Sequence, residues 1–285
     1  MTVKTAIVVS KVINKKIVPS RPSSKGNPGY DYCIVVRVLV YAVLSGIFTN
    51  KGLVTHLENN PTIARILGLK TIPHRKSISR WKKQKWILLG IVIENLGKLI
   101  QEMVTNKLII FDSAPIPDEK DSDAKTGFNS RGPFIGFKIH LAVNQFGMPL
   151  KAIFSTGNRH DSPFLRPLLK GLKRMWFGLG DSGYDSKPNR KAINSKGGIA
   201  LIDYNMRNSK TKPKRPWLLK VMRFIVEETN SNLKESVLQR KWTRVKEFDR
   251  KASLLFCGVI AMQVMAIDNL LKGRGCEWMK VSEYR

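Results

Sequence analysis

The sequence predicts an α/β protein: a mixed sheet with flanking helices, preceded by a small all-α domain. Three observations carry this. Apolar residues recur at spacings of three and four across residues 31–103, the period of helices that bury one face. Beyond Thr105 the period changes, and Phe137, Ile139, Leu141 and Val143 alternate with Lys138, His140 and Ala142, as strand residues do. Short apolar runs at 108–111, 175–179 and 199–202 then alternate with helical stretches, which sets helices against a sheet.

The elements follow in order. Residues 19–29 are rich in Pro, Ser and Gly and read as a linker or arm. Apolar spacing places four or five short helices within 34–48, 53–57, 63–69 and 86–99 and around them. The run 108–111 suits a strand buried on both faces, with Asp112 at its C-terminal end. Residues 137–143 and 150–154 form a hairpin through Gly147. A helix at 161–172, a strand ending at Asp181, a helix at 187–194 and a strand at 199–202 come next, and then a long helix at 216–238. Residues 253–271 are expected to close the second core as a buried terminal helix. The domain boundary falls at about residue 105.

The chain has 285 residues, with 50 Lys and Arg against 21 Asp and Glu, a formal net charge of +29. Because 42% of residues are hydrophobic, there is material for packed cores, and a disordered polycation is excluded. Such a surplus opposes compaction unless the partner is a polyanion, so nucleic acid is the first partner implied. Cys33, Cys257 and Cys276 have no paired spacing, which indicates neither a disulfide framework nor a zinc site and suits a reducing compartment. The apolar stretches 34–48 and 253–267 are shorter than a membrane span, and both read as buried helices.

Two acids end predicted central strands: Asp112 in Phe111-Asp112-Ser113 and Asp181 in Gly180-Asp181-Ser182-Gly183. Side chains at the C-terminal ends of neighbouring strands converge outside the sheet, where open α/β folds place their chemistry. A divalent cation removes the repulsion of paired carboxylates. Taken alone, each Asp reads as a solvated strand-end or turn residue. In the long helix, Lys220, Arg223, Glu227 and Lys234 are spaced by three, four and seven residues, which makes one stripe on a regular helix. By itself this stripe is a surface face whose Arg223–Glu227 pair contributes about 0.3–0.5 kcal/mol.

Together these blocks resemble the insertion-sequence branch of the DDE transposases. The resemblance covers nearly the whole chain and rests on several segments in order: Ile110-Phe111-Asp112-Ser113; residues 136–141 with the Gly147 turn; residues 157–162; residues 180–186; and Arg223, Glu227 and Lys234 in a Tyr-x2-Arg-x3-Glu-x6-Lys pattern. Lys220 stands where that pattern has Tyr. The resemblance implies an RNase H-like catalytic domain at 106–285 and a DNA-binding domain at 1–105. It implies an enzyme that cuts double-stranded DNA at mobile-element ends and transfers the 3′-hydroxyl strands to target DNA. Asp112, Asp181 and Glu227 would be its catalytic and metal-holding acids, with two Mg²⁺, for which Mn²⁺ can substitute. Arg223, Lys234 and Lys220 would meet DNA. A homodimer on DNA, a cytoplasmic, nucleoid-associated location and no membrane or small-molecule partner are implied as well. The alternatives are an RNase H-like nuclease without strand transfer and a catalytically silent, transposase-derived DNA-binding protein.

Other residues have quieter readings. Asp185 reads as the N-cap of the helix at 187–194, and Asp161 as the cap of the helix after it. His160 matches a family block near the active site, and His140 shares the outward strand face with Lys138. Asp118, Glu119, Asp121 and Asp123 sit among lysines in a turn-rich, solvated loop. Two basic runs suit DNA phosphates. Arg75, Lys76, Arg80, Lys82, Lys83 and Lys85 follow a helix and a Pro73 break, compatible with a helix-turn-helix. Lys210, Lys212, Lys214 and Arg215 form an arm before the long helix.

Overall fold

The structure, a computed structural model, describes residues 3–22, 29–129, 132–205, 217–275 and 278–285. In chain order the elements are helices α1 (Val3–Val12), α2 (Tyr32–Leu44), α3 (Asn50–Asn59), α4 (Pro61–Leu67), α5 (Arg75–Gln84) and α6 (Trp86–Met103), then strands β1 (Leu108–Pro117), β2 (Lys125–Asn129), β3 (Gly132–Asn144) and β4 (Pro149–Thr156). There follow α7 (Leu165–Leu169), β5 (Phe177–Gly180), α8 (Lys187–Asn194), β6 (Ile199–Ile202), α9 (Trp217–Ser231) and α10 (Phe248–Leu271). The chain divides into two compact units, residues 1–96 with 233–285, and residues 97–232.

The first unit is helical. Local chemistry sets its helix ends: the Asp31 carboxylate accepts from Cys33 N at 2.7 Å, and the Thr49 hydroxyl accepts from Gly52 N at 3.1 Å, each satisfying an orphan N–H of a first turn. Pro61 opens α4, and Gly68, at φ 94°, closes it in the left-handed conformation. Helix α1 was not foreseen from the sequence. Helix α10 corrects an expectation: it packs on α1, α2 and α5 rather than on the sheet. It is long and apolar enough to cross a membrane, yet 83% of its most apolar window is buried within the protein.

The second unit carries the sheet. Among the described residues it has six strands in the order β2-β3-β1-β5-β6, with β4 also on β3. Strand β1 is antiparallel to β3 and parallel to β5, which is parallel to β6. Three antiparallel pairings, β2–β3, β3–β4 and β3–β1, and two parallel ones, β1–β5 and β5–β6, give a mixed sheet, with helices against it. Strand β1 is longer than expected: its parallel register with β5 ends at Phe111↔Gly180, while its antiparallel register with β3 runs on to Pro117↔Gly136. Asp112 therefore lies inside β1, at the first position without a β5 partner, and not at the strand's end. Pro115 is tolerated there because the β5 side is no longer paired.

Helix α9 packs on β1, and Gly147 in the β3–β4 turn lets it approach. Gly147 has φ 74°, and a Cβ there would stand 2.8 Å from Thr229 Oγ1. The Thr229 hydroxyl meets the Gly147 carbonyl at 3.0 Å and that of Ile225 at 2.8 Å. The expected helix at 216–238 ends as α-helix at Ser231, and residues Asn232–Val237 form a π-helical turn. Lys234 sits in that turn, so the regular stripe holds for Lys220, Arg223 and Glu227 and stops before Lys234.

Candidate active site

Asp112 and Asp181 are the next residues after the paired Phe111 and Gly180 on the adjacent parallel strands β1 and β5, and register alone brings them together. Burial pushes the Asp112 carboxyl up to about 7, and the Asp181 charge adds to this; Arg223 opposes it, and Glu227 contributes a smaller upward push. The Asp181 carboxyl is also raised, first by burial and then by Asp161, with Arg223, the Gly183 N–H and Lys138 acting against. The two carboxylates, each half-buried, thus stand at neighbouring strand positions, and the charge of Asp181 disfavours that of Asp112. Neutral donors fix them, and Asp112 also takes a backbone hydrogen bond from Ser113. Asn230 Nδ2 donates to Asp112 Oδ2 at 2.8 Å, and Gly183 N donates to Asp181 Oδ1 at 3.0 Å.

Helix α9 carries the third acid. Glu227 is 60% exposed, and its Oε1 lies 3.4 Å from the Arg223 guanidinium. Arg223 acts on both Asp112 and Asp181, so one cation serves all three carboxylates. Among the described residues, no three His, Cys, Asp or Glu side chains are gathered closely enough to ligate one ion. The donor set nevertheless fits a hard divalent cation: two half-buried carboxylates, each with its pKa raised, present oxygen donors whose repulsion a cation would relieve, and Asp112 senses Glu227 as well.

A second layer props Asp181. Asp161 accepts from Lys138 Nζ at 3.0 Å, and Lys138 also donates to the Arg159 carbonyl at 3.1 Å. Asp161 precedes a 3-10 turn, Ser162–Phe164, and makes no side-chain cap, which corrects its reading as a helix cap. His140 is buried and not outward-facing: its Nε2 is 2.9 Å from Ser155 Oγ, and its ring stacks on Phe164 with centroids 4.0 Å apart. Burial pushes its imidazole down to about 4. The Tyr184 hydroxyl is buried without a hydrogen-bond partner among the described residues. It feels Asp161, Asp112 and Asp181, and burial holds its pKa well above the usual phenol range.

The remaining expected residues distribute as follows. His160 is exposed. The cap of α8 is Ser186, which accepts from Asn189 N at 3.3 Å, while Asp185 pairs with Arg190 at 2.8 Å; this corrects the capping role given to Asp185. Asp118 and Asp121 are buried, not solvated, their carboxylates accepting from Lys120 N and Asp123 N. On α5, Arg75, Lys76 and Arg80 are exposed. Lys82 donates to Asn50 Oδ1 at 2.8 Å, Lys83 pairs with Glu247 at 2.7 Å, and Lys85 lies 4.4 Å from the centroid of the Tyr32 ring. Lys220 is exposed on α9. Lys210, Lys212, Lys214, Arg215 and Cys276 lie outside the described residues. Sequence reasoning missed Asn230 and the Lys138–Asp161 prop. Asn230 follows Glu227 by three residues on one helix face, a signal that could have found it.

The site is a mixed sheet carrying Asp112 within β1 and Asp181 just beyond β5, with the helix that bears Arg223 and Glu227 packed on β1. Residues 105–263 match the transposase DDE domain family, and residues 4–84 match a transposase domain family, DUF772. The first match spans more than half of the chain, and the protein belongs to the transposase DDE domain family. No curated protein matches the sequence. Among solved structures, the piggyBac transposase in a synaptic complex with hairpin DNA, determined by cryo-EM, aligns with a TM-score of 0.47 and 10% identity, over 99% of this chain and 76% of that one.

Proposed function

We propose that this transposase cuts double-stranded DNA at the ends of a mobile element and transfers the freed 3′-hydroxyl strands to a target, with Asp112, Asp181 and Glu227 as its metal-holding acids. The observation that carries the reading is the pair of half-buried carboxylates with raised pKa that the β1–β5 register brings to neighbouring positions, with Arg223 and Glu227 on the helix packed against β1. Divalent cations held there, two Mg²⁺ or Mn²⁺, supply activation of the attacking oxygen and charge stabilisation for the departing one.

The protein's own groups do the rest. The Asn230 amide and the Gly183 N–H orient the Asp112 and Asp181 carboxylates, and the Ser113 backbone N–H also bonds Asp112. An exposed ion pair is worth only about 0–1 kcal/mol, so Glu227 would leave Arg223 at little cost if a cation held beside Asp112 drew it in. Arg223 is then left facing the site, and its planar fork suits a phosphate beside the scissile bond. Lys234 and Lys220 add cations on the same segment, and the exposed Arg75, Lys76 and Arg80 of α5 offer phosphate contacts of their own. Paired element ends call for two protomers, so a homodimer on DNA is part of the proposal.

The test is an assay of the purified chain on DNA carrying the sequences that flank its coding region, with Mg²⁺. Strand cleavage at those sequences, followed by covalently joined products, supports transposition. Cleavage without joining would leave a nuclease, and binding without cleavage in Mg²⁺ or Mn²⁺ would leave a silent DNA-binding protein.

A further inference from the structure

The first unit contains a cavity of about 1150 Å³ that the proposed chemistry does not use. It runs along α3, from the residues before its first turn to Asn60 at its end, and among the described residues is lined by Lys51, Lys82, Lys241, Arg244, Lys246 and Arg250, with Glu247 as the one lining carboxylate. Among the described residues Glu247 is already committed, to Lys83 at 2.7 Å and to Arg250 at 3.4 Å. Lys51, Lys241 and Arg244 have no carboxylate partner among the described residues, and Lys51 and Arg244 are exposed. Lys82 is largely withdrawn from water, donating to the Phe48 carbonyl at 3.3 Å and to Asn50 Oδ1 at 2.8 Å. Burial lowers its ammonium pKa, and the Arg250 charge adds to that. So many like charges around one hollow oppose one another unless an anion enters.

The backbone is bent to build this wall. Gln239, Arg240 and Glu247 have φ of 49°, 53° and 72°, left-handed values that side chains other than glycine rarely take. These three residues bracket the short turn Lys241–Arg244 and carry Lys241, Arg244 and Lys246 to the cavity. Strained backbone that a fold retains is found most often where it serves a site. The α3 N-terminus, with Gly52 N already capped by Thr49, adds the positive end of its dipole.

We infer that this cavity binds the phosphodiester backbone of DNA, so that the segment after the DDE glutamate completes a phosphate-binding surface with α3 and α5. The inference rests on the transposase reading and extends it. DNA fits better than a lone phosphate because the hollow is far larger than one phosphate group, and because α5, which lends Lys82 to its wall, also carries the exposed cations Lys76 and Arg80. Contacts of this kind add affinity without reading sequence.

Anisotropy titrations of the full chain, on a duplex with the flanking sequences and on an unrelated duplex, across a salt series, test it. Lys241→Ala with Arg244→Ala should weaken both duplexes alike, by roughly tenfold or more at low salt, and should lower the slope of log affinity against log salt by about 2. Arg244→Glu, a single exposed change, should act in the same direction. Unchanged affinity and slope in both variants, with wild type binding and cutting DNA, would overturn this inference and leave the transposase reading standing. If pyrophosphate binds wild type and not the double variant while the DNA slope is unchanged, the cavity serves a free phosphate compound and the inference is again overturned. If wild type binds neither duplex, both readings fall together.

Discussion

The side-chain amide of Asn230 donates to Asp112 Oδ2 at 2.8 Å and ties the helix that carries Glu227 to the strand that carries Asp112. Asn230 is buried, so the bond is shielded from competing water, and it orients the carboxylate oxygen without adding charge. Donors behind a metal-holding carboxylate typically matter by 10- to 100-fold in metal affinity or activity. Asn230→Ala should therefore raise the Mg²⁺ concentration needed for half-maximal cleavage by roughly 10- to 100-fold, with DNA affinity unchanged. An unchanged Mg²⁺ requirement would remove Asn230 from the site.

Metal binding should register as stability. Burial and the neighbouring Asp181 charge destabilise the Asp112 carboxylate in the metal-free protein, so Asp112→Asn should raise the melting temperature of that form above neutral pH. Mg²⁺ should raise the melting temperature of wild type and leave that of Asp112→Asn nearly unmoved. Equal Mg²⁺ shifts in the two proteins would place the cation elsewhere.

His140 gives the fold a pH dependence away from the acids. Its imidazole is pushed from 6.5 down to about 4, mainly by burial, with Asp161 opposing and Lys138 reinforcing. The unfolded chain binds a proton in that window and the folded chain does not. The stability contributed by neutral His140 is thus full above about 6.5 and is lost as pH falls toward 4, by about 3 kcal/mol in all. Asp112, raised to about 7, contributes with the opposite sign over this window, so the His140 part is read as the difference between denaturant melts of wild type and His140→Gln, which should change in the destabilising direction for wild type as pH falls from 6.5 toward 4. A variant with the wild-type pH profile would mean that His140 titrates normally.

Arg223 is the cation shared by Asp112, Asp181 and Glu227. Arg223→Ala should lower the cleavage rate roughly 100-fold, the scale of losing one donor aimed at developing charge. Arg223→Lys should restore little, because an ammonium lacks the planar fork. Full activity in Arg223→Lys would reduce its role to that of a point charge.

Much of this was legible in the sequence, for reasons that also explain what was not. The strand at 108–111 and the strand before Asp181 announced themselves as apolar runs ended by an acid, and the parallel register did the rest. The extension of β1 through Pro115 and Pro117 was hidden, since proline argues against a strand until a missing β5 neighbour makes its lost N–H harmless. Helix α10 is apolar on nearly every side, so its pattern gave burial correctly and could not say which core it joins. The π-helical turn at Asn232–Val237 leaves no mark in an i, i+3, i+4 pattern, and so Lys234 was placed on a stripe that ends before it. In the candidate site, the acids stood out by charge and position. Asn230 and the buried His140 did not, because a neutral amide on a helix and a histidine on an alternating strand look like ordinary surface residues until packing covers them.

The most direct test compares strand cleavage and DNA binding in Asp112→Asn, Asp181→Asn and Glu227→Gln, each purified as the full chain and assayed with Mg²⁺ on DNA bearing the flanking sequences. The account predicts that cleavage is lost in all three while affinity for the DNA stays within a few-fold of wild type. Wild-type cleavage by any one of them would contradict it.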